Sequence, residues 1–234
     1  MYKRQGKKVV ILGFGREGRS TLKLLGSCNC KSITVADMNP VPESEAEGCT
    51  LCCGEDYLTC LDDCDVIMKA PGVILKNIVS DEIKAKITSQ TDLFLRFCDN
   101  MIIGITGTKG KSTTSSLIKF FIEKSGKDTM LIGNIGVPPL ERREEFTKDC
   151  VIVCEMSCHQ LEYVKASPDV AVLLNIYPEH LDHYTDFAAY RNAKLNIFRY
   201  QNENDTLIIG EEVKQYADCL LYTSPSPRDR TRSR

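Results

Sequence analysis

Residues 102–114 read Ile102-Ile-Gly-Ile-Thr-Gly-Thr-Lys-Gly-Lys-Ser-Thr-Thr114, an apolar run followed by a glycine-rich turn and Lys-Ser-Thr. A helical pattern then continues through Ile122. A strand, a loop and a helix N-terminus in this order direct several backbone N–H groups and the positive end of the helix dipole at one point. The segment therefore predicts a phosphate-binding loop for a nucleoside triphosphate.

The polar residues of this loop have distinct predicted roles. Lys111 supplies a mobile positive charge for the outer phosphates, and the hydroxyl of Ser112 or Thr113 can bind Mg²⁺. The usual motif has a glycine five residues before Gly110, where this chain has Ile105 between two glycines. The alternative interpretation is therefore a glycine-rich strand–helix turn that happens to precede Lys-Ser.

Composition excludes several classes of protein. The chain has 234 residues, 42% of them hydrophobic, which suffices for one or two domains with real cores. A net charge of −2 creates no field that attracts nucleic acid or anionic membranes. No apolar run approaches the roughly 18–20 residues of a membrane span, and no secretory cleavage site is evident. Among the twelve cysteines, the groups Cys28-x-Cys30, Cys52-Cys53 and Cys60-x3-Cys64 lack the paired Cys-x-x-Cys spacing of a zinc site. We expect reduced thiols in a cytoplasmic protein without nucleic-acid or membrane partners.

Both ends look foreign to the fold. Residues 1–6 and 219–234 carry no helical or strand period, and the second segment is rich in Ser, Pro and Arg. A disordered basic arm that binds phosphates is one interpretation. We favour another, in which both segments are translated adapter sequence and the native chain continues past residue 218.

The first unit, residues 7–92, begins with a nucleotide-binding pattern. An apolar strand at residues 7–12 leads into Gly13-Phe-Gly-Arg-Glu-Gly18 and a helical pattern, and a second strand ends in Asp37, 19 residues after Gly18. Strand, glycine loop, helix and strand-end acid predict a Rossmann-like domain whose acid accepts a hydrogen bond from a ribose hydroxyl. From the pattern alone the expected ligand is NAD, and the alternative is that the glycines serve only close helix–strand packing.

A later strand at residues 64–69 ends in Ala70-Pro-Gly-Val73. This turn lies at the carboxyl end of the strand, where ligands of open α/β sheets bind. Helices are predicted at residues 80–86 and 90–97, and a weaker strand at 49–52. The whole chain is therefore predicted to be α/β, with the Rossmann-like domain followed by a P-loop ATPase-type parallel sheet over residues 93–218.

In the second unit, strands again deliver polar residues to one edge. A strand at 128–132 precedes Gly133-Asn-Ile-Gly-Val-Pro138, which presents Asn134, and an apolar strand at 150–154 delivers Glu155. An acid one strand away from a phosphate loop is a usual place for Mg²⁺. A third buried strand is predicted at 170–176.

The three histidines follow these strands, at positions 159, 180 and 183. His180 and His183 with Asp182 suggest zinc, but no further ligand is evident and zinc is not our prediction. The helical segment at 187–198 carries Lys194 on its apolar face. Periodicity alone favours a lysine stem along the core with its charged head in water.

Five segments in order resemble the signatures of the Mur ligase family. They read Thr106-Gly-Thr-Lys-Gly-Lys-Ser-Thr113, Gly133-Asn-Ile-Gly-Val-Pro138, Glu155-Met-Ser-Cys-His-Gln-Leu-Glu162, Asn175-Ile-Tyr-Pro-Glu-His-Leu-Asp182 and Tyr190-Arg-Asn-Ala-Lys194. With Gly13–Gly18 and the Ala70–Val73 turn, they are most similar to the branch that adds D-glutamate to UDP-N-acetylmuramoyl-L-alanine in peptidoglycan synthesis. The resemblance covers residues 7–218, the family's N-terminal domain and most of its central ATPase domain; its C-terminal domain has no counterpart here.

The resemblance implies a role for each set of site residues. UDP-substrate contacts would be Gly15, Arg16, Glu17, Asp37, Met38, Asn39, Pro71 and Gly72, together with Asn134, Ser157 and Gln160. ATP would be bound by Gly107, Thr108, Lys109, Gly110, Lys111, Ser112 and Thr113. The Mg²⁺ ligands would be Ser112, Glu155, His180 and a carbamylated Lys194, and the catalytic set Lys111, Asn134, Glu155, His180 and Lys194. In this interpretation the first glycine loop binds a UDP pyrophosphate and not NAD.

The reaction that the resemblance implies is an amide ligation driven by ATP through an acyl phosphate, carried out by a monomer. In the family the D-glutamate pocket lies largely in the C-terminal domain, so we expect residues 1–234 to bind substrates without completing ligation. The sequence departs from the family at Cys158, often serine, at His159, more often aromatic, and at Lys109, often asparagine.

Three alternatives stay open. Folylpolyglutamate synthase is a related ligase, but it lacks the Gly13–Asp37 unit. An NAD-dependent oxidoreductase is supported by that unit alone. A non-catalytic nucleotide-binding module is the third possibility, and it depends on whether residue 234 is a true C-terminus.

Overall fold

The computed structural model describes residues 6–75, 79–134, 137–180 and 182–216. The chain divides into two compact units, between Leu93 and Phe94. Each unit contains one five-stranded sheet in which every neighbouring pair of strands is parallel. The predicted α/β class is confirmed. Residues 1–5 of the predicted leader and the whole predicted tail lie outside the described residues. Positions 135–136, in the loop after the strand predicted at 128–132, also lie outside them.

The first unit has the strand order β3-β2-β1-β4-β5. Its strands are β1 (Lys8–Leu12), β2 (Ser32–Asp37), β3 (Thr50–Cys53), β4 (Val66–Lys69) and β5 (Ile87–Thr88). Its helices are α1 (Arg16–Gly26), α2 (Asp81–Lys86) and α3 (Gln90–Phe97), the last of which begins in this unit and crosses the division. The chain builds the sheet outward from β1 in one direction and then in the other, so a crevice forms between the carboxyl ends of β1 and β4. Ligands of such sheets bind in this crevice.

The core of the first unit follows from its apolar strands. Val9 and Ile11 of β1 pack with Val35 of β2 and Met68 of β4, and Leu25 of α1 covers them. Strand β1 is buried from Val9 to Leu12, as expected for a central parallel strand. The strand β5 was not predicted, because two residues between helices carry no strand period.

The second unit has the strand order β10-β9-β6-β8-β7. Its strands are β6 (Ile102–Thr106), β7 (Thr129–Gly133), β8 (Val151–Glu155), β9 (Val170–Leu173) and β10 (Thr206–Ile209). Its helices are α4 (Lys111–Lys124), α5 (Cys158–Leu161) and α6 (Phe187–Arg199). Single 3₁₀ turns occur at 43–45 and 59–61 in the first unit and at 143–145 and 211–213 in the second.

Two helices cover opposite faces of this sheet. Ile105, Val153 and Val172 form one cluster with Ile118 of α4. Alternate residues of the same strands point into a second cluster that includes α6. Burial on both faces explains the continuous apolar runs of β6, β8 and β9.

Element boundaries differ from prediction in a few places. Strand β9 ends at Leu173, three residues before the predicted end, because the chain turns there to bond the phosphate loop. The short helix α5 and strand β10 were not predicted. Among the described residues, every helix is too short or too polar to cross a bilayer.

Candidate functional site

The loop between β6 and α4 is fixed by its neighbours before any ligand binds. Gly110 has φ +85° and directly precedes α4, a conformation that favours glycine. The backbone N–H of Lys109 donates to Oδ1 of Asn175 at 2.9 Å, and Nδ2 of Asn175 donates back to the Lys109 carbonyl at 3.1 Å. The backbone N–H of Thr108 donates to the Asn175 carbonyl at 2.9 Å. Asn175 thus shapes the loop, a role that the sequence analysis did not assign to it.

Two lysines meet at one carbonyl oxygen of this loop. Nζ of Lys111 donates to the Gly107 carbonyl at 3.0 Å and to the Thr108 carbonyl at 3.1 Å. Nζ of Lys194, from α6, donates to the same Gly107 oxygen at 2.8 Å. The structure therefore brings two predicted catalytic cations to the phosphate loop.

Lys194 differs from the expectation of helical periodicity. Its side chain is 1% exposed and lies over the ring of Tyr190 at 5.0 Å, whereas periodicity alone favoured a charged head in water. The pKa of Lys194 is lowered to about 8, mainly by burial and also by the nearby Lys111 charge, although Cys158 and Glu179 act in the opposite direction. A buried amine with a lowered pKa is partly neutral near physiological pH, which is the form that reacts with CO₂.

Glu155 ends β8 as a buried carboxylate, 1% exposed. Its Oε1 accepts a hydrogen bond from Nδ2 of Asn134 at 2.8 Å. Its Oε2 is buried and has no hydrogen-bond partner among the described residues. A buried oxygen of this kind is costly unless a cation or donor satisfies it, so Glu155 fits the predicted Mg²⁺ site.

Gly133 explains why Asn134 reaches Glu155. Gly133 has φ +103°, and a Cβ there would lie 2.2 Å from the Glu155 carbonyl oxygen. The N–H of Asn134 then donates to that carbonyl at 2.9 Å. Only glycine permits this close approach, so the Gly-Asn pair positions the Asn134 amide.

His180 has φ +56°, uncommon for a residue with a side chain and a mark of local constraint. Its side chain is 45% exposed, and its ring centre lies 4.9 Å from that of His159. His180, Asp182 and His183 do not form a group of possible metal ligands within the described part of the chain. Nε2 of His183 lies 3.3 Å from the Glu162 carboxylate. His180 instead lies beside residues that follow β8.

Ser157 and Gln160 bond each other. Oγ of Ser157 accepts from the Gln160 N–H at 3.3 Å, and Oε1 of Gln160 accepts from the Ser157 N–H at 2.9 Å. This is a capping box that starts α5. The pattern Ser-x-x-Gln thus has a structural explanation that the sequence analysis missed, and substrate contact by these two residues stays a prediction.

The rest of the loop is placed as follows. Ser112 and Thr113 are exposed in the first turn of α4. The Thr108 hydroxyl lies 2.9 Å from the Tyr190 hydroxyl. Lys109 pairs with Glu179 at 2.6 Å, which gives the unusual lysine a partner within the unit.

The first unit has its own cavity, of about 460 Å³, at the carboxyl ends of β1, β2 and β4. All eight residues predicted in this unit for the UDP-substrate line it: Gly15, Arg16, Glu17, Asp37, Met38, Asn39, Pro71 and Gly72. Tyr57 and Ile74 also line it. These two were missed, because they lie in irregular segments without a motif.

Two glycines of the first loop have different roles. A Cβ at Gly18 would lie 2.1 Å from the Gly13 carbonyl oxygen, so this glycine serves helix–strand packing. Gly15 has open space at the Cβ position and lines the cavity. Close packing therefore explains the glycine at position 18, whereas Gly15 leaves space in the cavity for a ligand.

The two acids of the cavity differ in environment. Asp37 accepts from the N–H of Phe14 at 2.6 Å and from the N–H of Asn39 at 2.8 Å, so it ties the glycine loop to the end of β2. Burial raises the pKa of Glu17 to about 7, although Gln90 and Lys69 act in the opposite direction. Glu17 therefore titrates near neutral pH.

Sequence comparison identifies the family behind this arrangement. The profile of the Mur ligase middle domain matches residues 105–227, more than half of the chain. The chain belongs to the Mur ligase family. A Mur ligase named UDP-N-acetylmuramoylalanine–D-glutamate ligase, from Clostridium botulinum strain Hall, is 36% identical over 216 residues, covering 88% of this chain and 47% of the relative. The ligase of the same name from Clostridium kluyveri is 34% identical over 215 residues, again covering 88% and 47%.

The fold has a solved Mur ligase counterpart. The UDP-N-acetylmuramate:L-alanyl-gamma-D-glutamyl-meso-diaminopimelate ligase from Neisseria meningitides superposes with a TM-score of 0.51 at 19% identity, covering 95% of this chain and 76% of that one. This likeness concerns the fold alone. The chain spans about half the length of the curated relatives it matches.

Proposed function

We propose that this chain is the substrate-binding and ATP-binding part of a Mur ligase that adds D-glutamate to UDP-N-acetylmuramoyl-L-alanine. The observation that carries the proposal is the meeting of Lys111 and Lys194 at the Gly107 carbonyl. A triphosphate bound by the loop would lie against the positive end of α4 and beside both lysine positions. The two relatives carry the name of this reaction.

The loop residues would bind ATP. The backbone N–H groups of Gly107 and Gly110 and the ammonium of Lys111 would bind the phosphates, with the hydroxyls of Ser112 and Thr113 at the helix start. Thr108 and Lys109 would contribute through the shape of the loop, because their N–H groups donate to Asn175. Lys111 now donates to two loop carbonyls, so it must leave them to reach a phosphate. Positioning and electrostatic stabilisation of this kind carry most of the catalysis of phosphoryl transfer.

Mg²⁺ would be held by Ser112, Glu155, His180 and a carbamylated Lys194. The unpartnered Oε2 of Glu155 is the feature that supports this set. When bound, Mg²⁺ supplies positive charge to the phosphate oxygens on which negative charge accumulates. Carbamylation would turn Lys194 from a cation into a carboxylate ligand.

The reaction would occur in two steps. The terminal alanine carboxylate attacks the γ-phosphorus, the bond to the β-phosphate oxygen breaks, and an acyl phosphate and ADP form. The amine of D-glutamate then attacks the acyl carbon, phosphate leaves, and the amine loses a proton. Asn134 would contact the muramoyl-peptide near the buried Glu155, with Ser157 and Gln160 as further contacts.

The first unit would bind the UDP portion of the substrate. Its cavity is lined by backbone of the glycine loop and by Arg16, which suits a pyrophosphate. A glycine loop before a helix binds any diphosphate, so NAD is the competing ligand. We further propose a monomeric cytoplasmic enzyme without nucleic-acid or membrane partners.

Binding measurements test this proposal without requiring a complete reaction. Calorimetric titration of the 234-residue chain should show Mg²⁺-dependent ATP binding that Lys111→Ala weakens about 10- to 100-fold, since a charged hydrogen bond contributes roughly 1.5–3 kcal/mol. Lys119→Ala is the matched control, because Lys119 lies on the same helix and pairs with Glu123. It should bind ATP like the parent chain.

The same titration with UDP-N-acetylmuramoyl-L-alanine and with NAD separates the two interpretations of the first unit. We expect binding of the UDP-substrate and none of NAD. Selective NAD binding, together with ATP binding that Lys111→Ala leaves unchanged, would overturn the ligase proposal.

A further inference from the structure

Three potential metal ligands lie together beside the proposed Mg²⁺ site. Cys158 and His159 begin the short helix α5, and His180 lies in the loop after β9. The thiol sulfur and one nitrogen of each imidazole all lie within 4.8 Å of one another. It is the one such group found among the described residues, and it joins two segments far apart in sequence.

The donor types differ from those that suit Mg²⁺. Mg²⁺ is a hard cation that binds oxygen, whereas a thiolate and two imidazoles select borderline-soft cations such as Zn²⁺. We propose that Cys158, His159 and His180 form a site for a divalent transition cation of the zinc class. One sulfur, two nitrogens and an open position for water give the four-coordinate arrangement that zinc adopts in proteins.

The neighbours of His159 hold it in place for this role. The ring of Tyr184 is parallel to His159, with interplanar angle 4° and centroids 5.8 Å apart. The ring of His183 packs against it at 4.2 Å, with its own Nε2 directed at Glu162. His159 is therefore packed between aromatic rings, with limited freedom to leave the site.

A cation can reach this group from solvent. Cys158 is 2% exposed, while the side chain of His180 is 45% exposed, so the site has a buried floor and an open rim. Ligands of a tetrahedral zinc ion lie about 3.5 Å apart, given bonds of about 2.0–2.3 Å. The three donor atoms must therefore approach one another by about 1 Å or slightly more when the cation binds, mainly by rotation of the exposed His180 side chain.

Binding displaces a proton and transfers no electrons. The thiol of Cys158 loses its proton to solvent as the sulfur–metal bond forms, and both imidazoles bind in their neutral form.

The shared ligand has a consequence that rests on the proposed function. His180 cannot bind Mg²⁺ with the ring nitrogen that holds a zinc-class cation. Zinc should therefore weaken Mg²⁺-dependent ATP binding, and chelation should restore it.

Co²⁺ is the probe for the test, because thiolate ligation gives an intense near-ultraviolet charge-transfer band and tetrahedral geometry gives strong visible bands. Titration of the reduced 234-residue chain with Co²⁺ should produce both sets of bands with one ion per chain, and one equivalent of Zn²⁺ should remove them. Cys158→Ser should lose the charge-transfer band. His159→Phe, which keeps the ring packing, should weaken Co²⁺ affinity at least 10-fold.

Cys150→Ser is the matched control, since Cys150 is also buried but lies just before the start of β8, at the other end of that strand. Its spectrum should equal that of the parent chain. Circular dichroism checks that each variant folds, and Cys158→Ala replaces the serine variant if that one does not. A charge-transfer band that persists without Cys158, or no band in the parent chain, would overturn the site. ATP binding in zinc-free Mg²⁺ buffer is measured separately, so failure of the ligase proposal remains distinguishable.

Discussion

Two ammonium groups on one carbonyl oxygen are an unfavourable arrangement at the residue scale. Lys111 and Lys194 both donate to Gly107, and their repulsion contributes to the lowered pKa of Lys194. An anion at the loop would relieve this repulsion, and so would conversion of Lys194 to a carbamate. The arrangement is that of a site prepared for negative charge.

Carbamylation of Lys194 can be measured directly. With a pKa of about 8, half of the amine is neutral at pH 8, against less than about 1% for a lysine with an ordinary pKa near 10.4. In ¹³C-bicarbonate, the chain should show a carbamate resonance that grows from pH 7 to pH 9. Lys194→Arg should abolish it and Lys119→Arg should not. A resonance that survives Lys194→Arg would assign the carbamate to another amine.

Glu17 gives the first unit a pH dependence. The pKa of Glu17 in the folded chain is about 7, above the ordinary value of 4.5. Its contribution to the free energy of unfolding is therefore fully present below pH 4.5 and is lost as the pH rises through 7. The shift corresponds to about 3 kcal/mol at most. Protonated Glu17 can also donate a hydrogen bond to a bound diphosphate. Affinity for UDP-N-acetylmuramoyl-L-alanine should fall several-fold from pH 6 to pH 8.

The control for this dependence is Glu17→Gln, which keeps a donor without the titration. Calorimetry on this variant should give a flat profile over the same range, and chemical denaturation should find it more stable than the parent above pH 7. An unchanged slope in Glu17→Gln would assign the pH dependence to another group.

At the residue scale, the sequence predicts the position of a side chain well when that residue ends a strand. Glu155 and Asp37 could be placed because a strand's end lies at a known edge of a parallel sheet. The group of Cys158, His159 and His180 could not be predicted, because it depends on how two loops approach in space. The burial of Lys194 was likewise beyond periodicity alone, which does not fix how deep a helix face lies.

At the scale of elements, the glycines of α1 provide a matched pair. A Cβ at Gly18 would lie 2.1 Å from a backbone oxygen, whereas Gly26, the last residue of the same helix, has nothing within 4 Å. Gly18→Ala should therefore separate α1 from β1 and cost more than about 2 kcal/mol, in the range of strained or overpacked substitutions. Gly26→Ala should be neutral or stabilise by up to about 1 kcal/mol. Urea denaturation measures both, and equal effects would contradict the packing role.

The elements that sequence predicted are those with long apolar runs or strong caps. Strands β1, β6 and β8 and helix α3 were found because their patterns are continuous. Strand β10 was missed because its four residues are too few to show a clear strand period, and among the described residues it lies at the edge of the sheet, beside β9. Helix α5 was missed because four residues cannot show a helical period; its capping box was the available signal.

At the scale of the whole molecule, two units with separate sheets should respond most strongly to different ligands. A ligand at 100 times its dissociation constant stabilises the unit that binds it by about 2.7 kcal/mol. In hydrogen-exchange mass spectrometry, UDP-N-acetylmuramoyl-L-alanine should slow exchange in β1, the start of α1 and β4, the elements around the 460 Å³ cavity. ATP with Mg²⁺ should slow exchange in β6, the start of α4 and β8.

The two protection patterns also decide between the ligands considered for the first unit. Glycine-loop backbone alone would protect equally with any diphosphate, whereas a cavity that also contacts the base and sugar should discriminate. We therefore expect strong protection of the first unit by the UDP-substrate, weak protection by UDP and none by NAD. Lys111→Ala should erase the ATP pattern in the second unit and leave the UDP-substrate pattern of the first unit intact, because Lys111 belongs to the phosphate loop of the second unit and donates to carbonyls of that loop. If NAD protected the first unit as strongly as the UDP-substrate does, the cavity would recognise only the pyrophosphate. Specificity for the substrate would then depend on other residues.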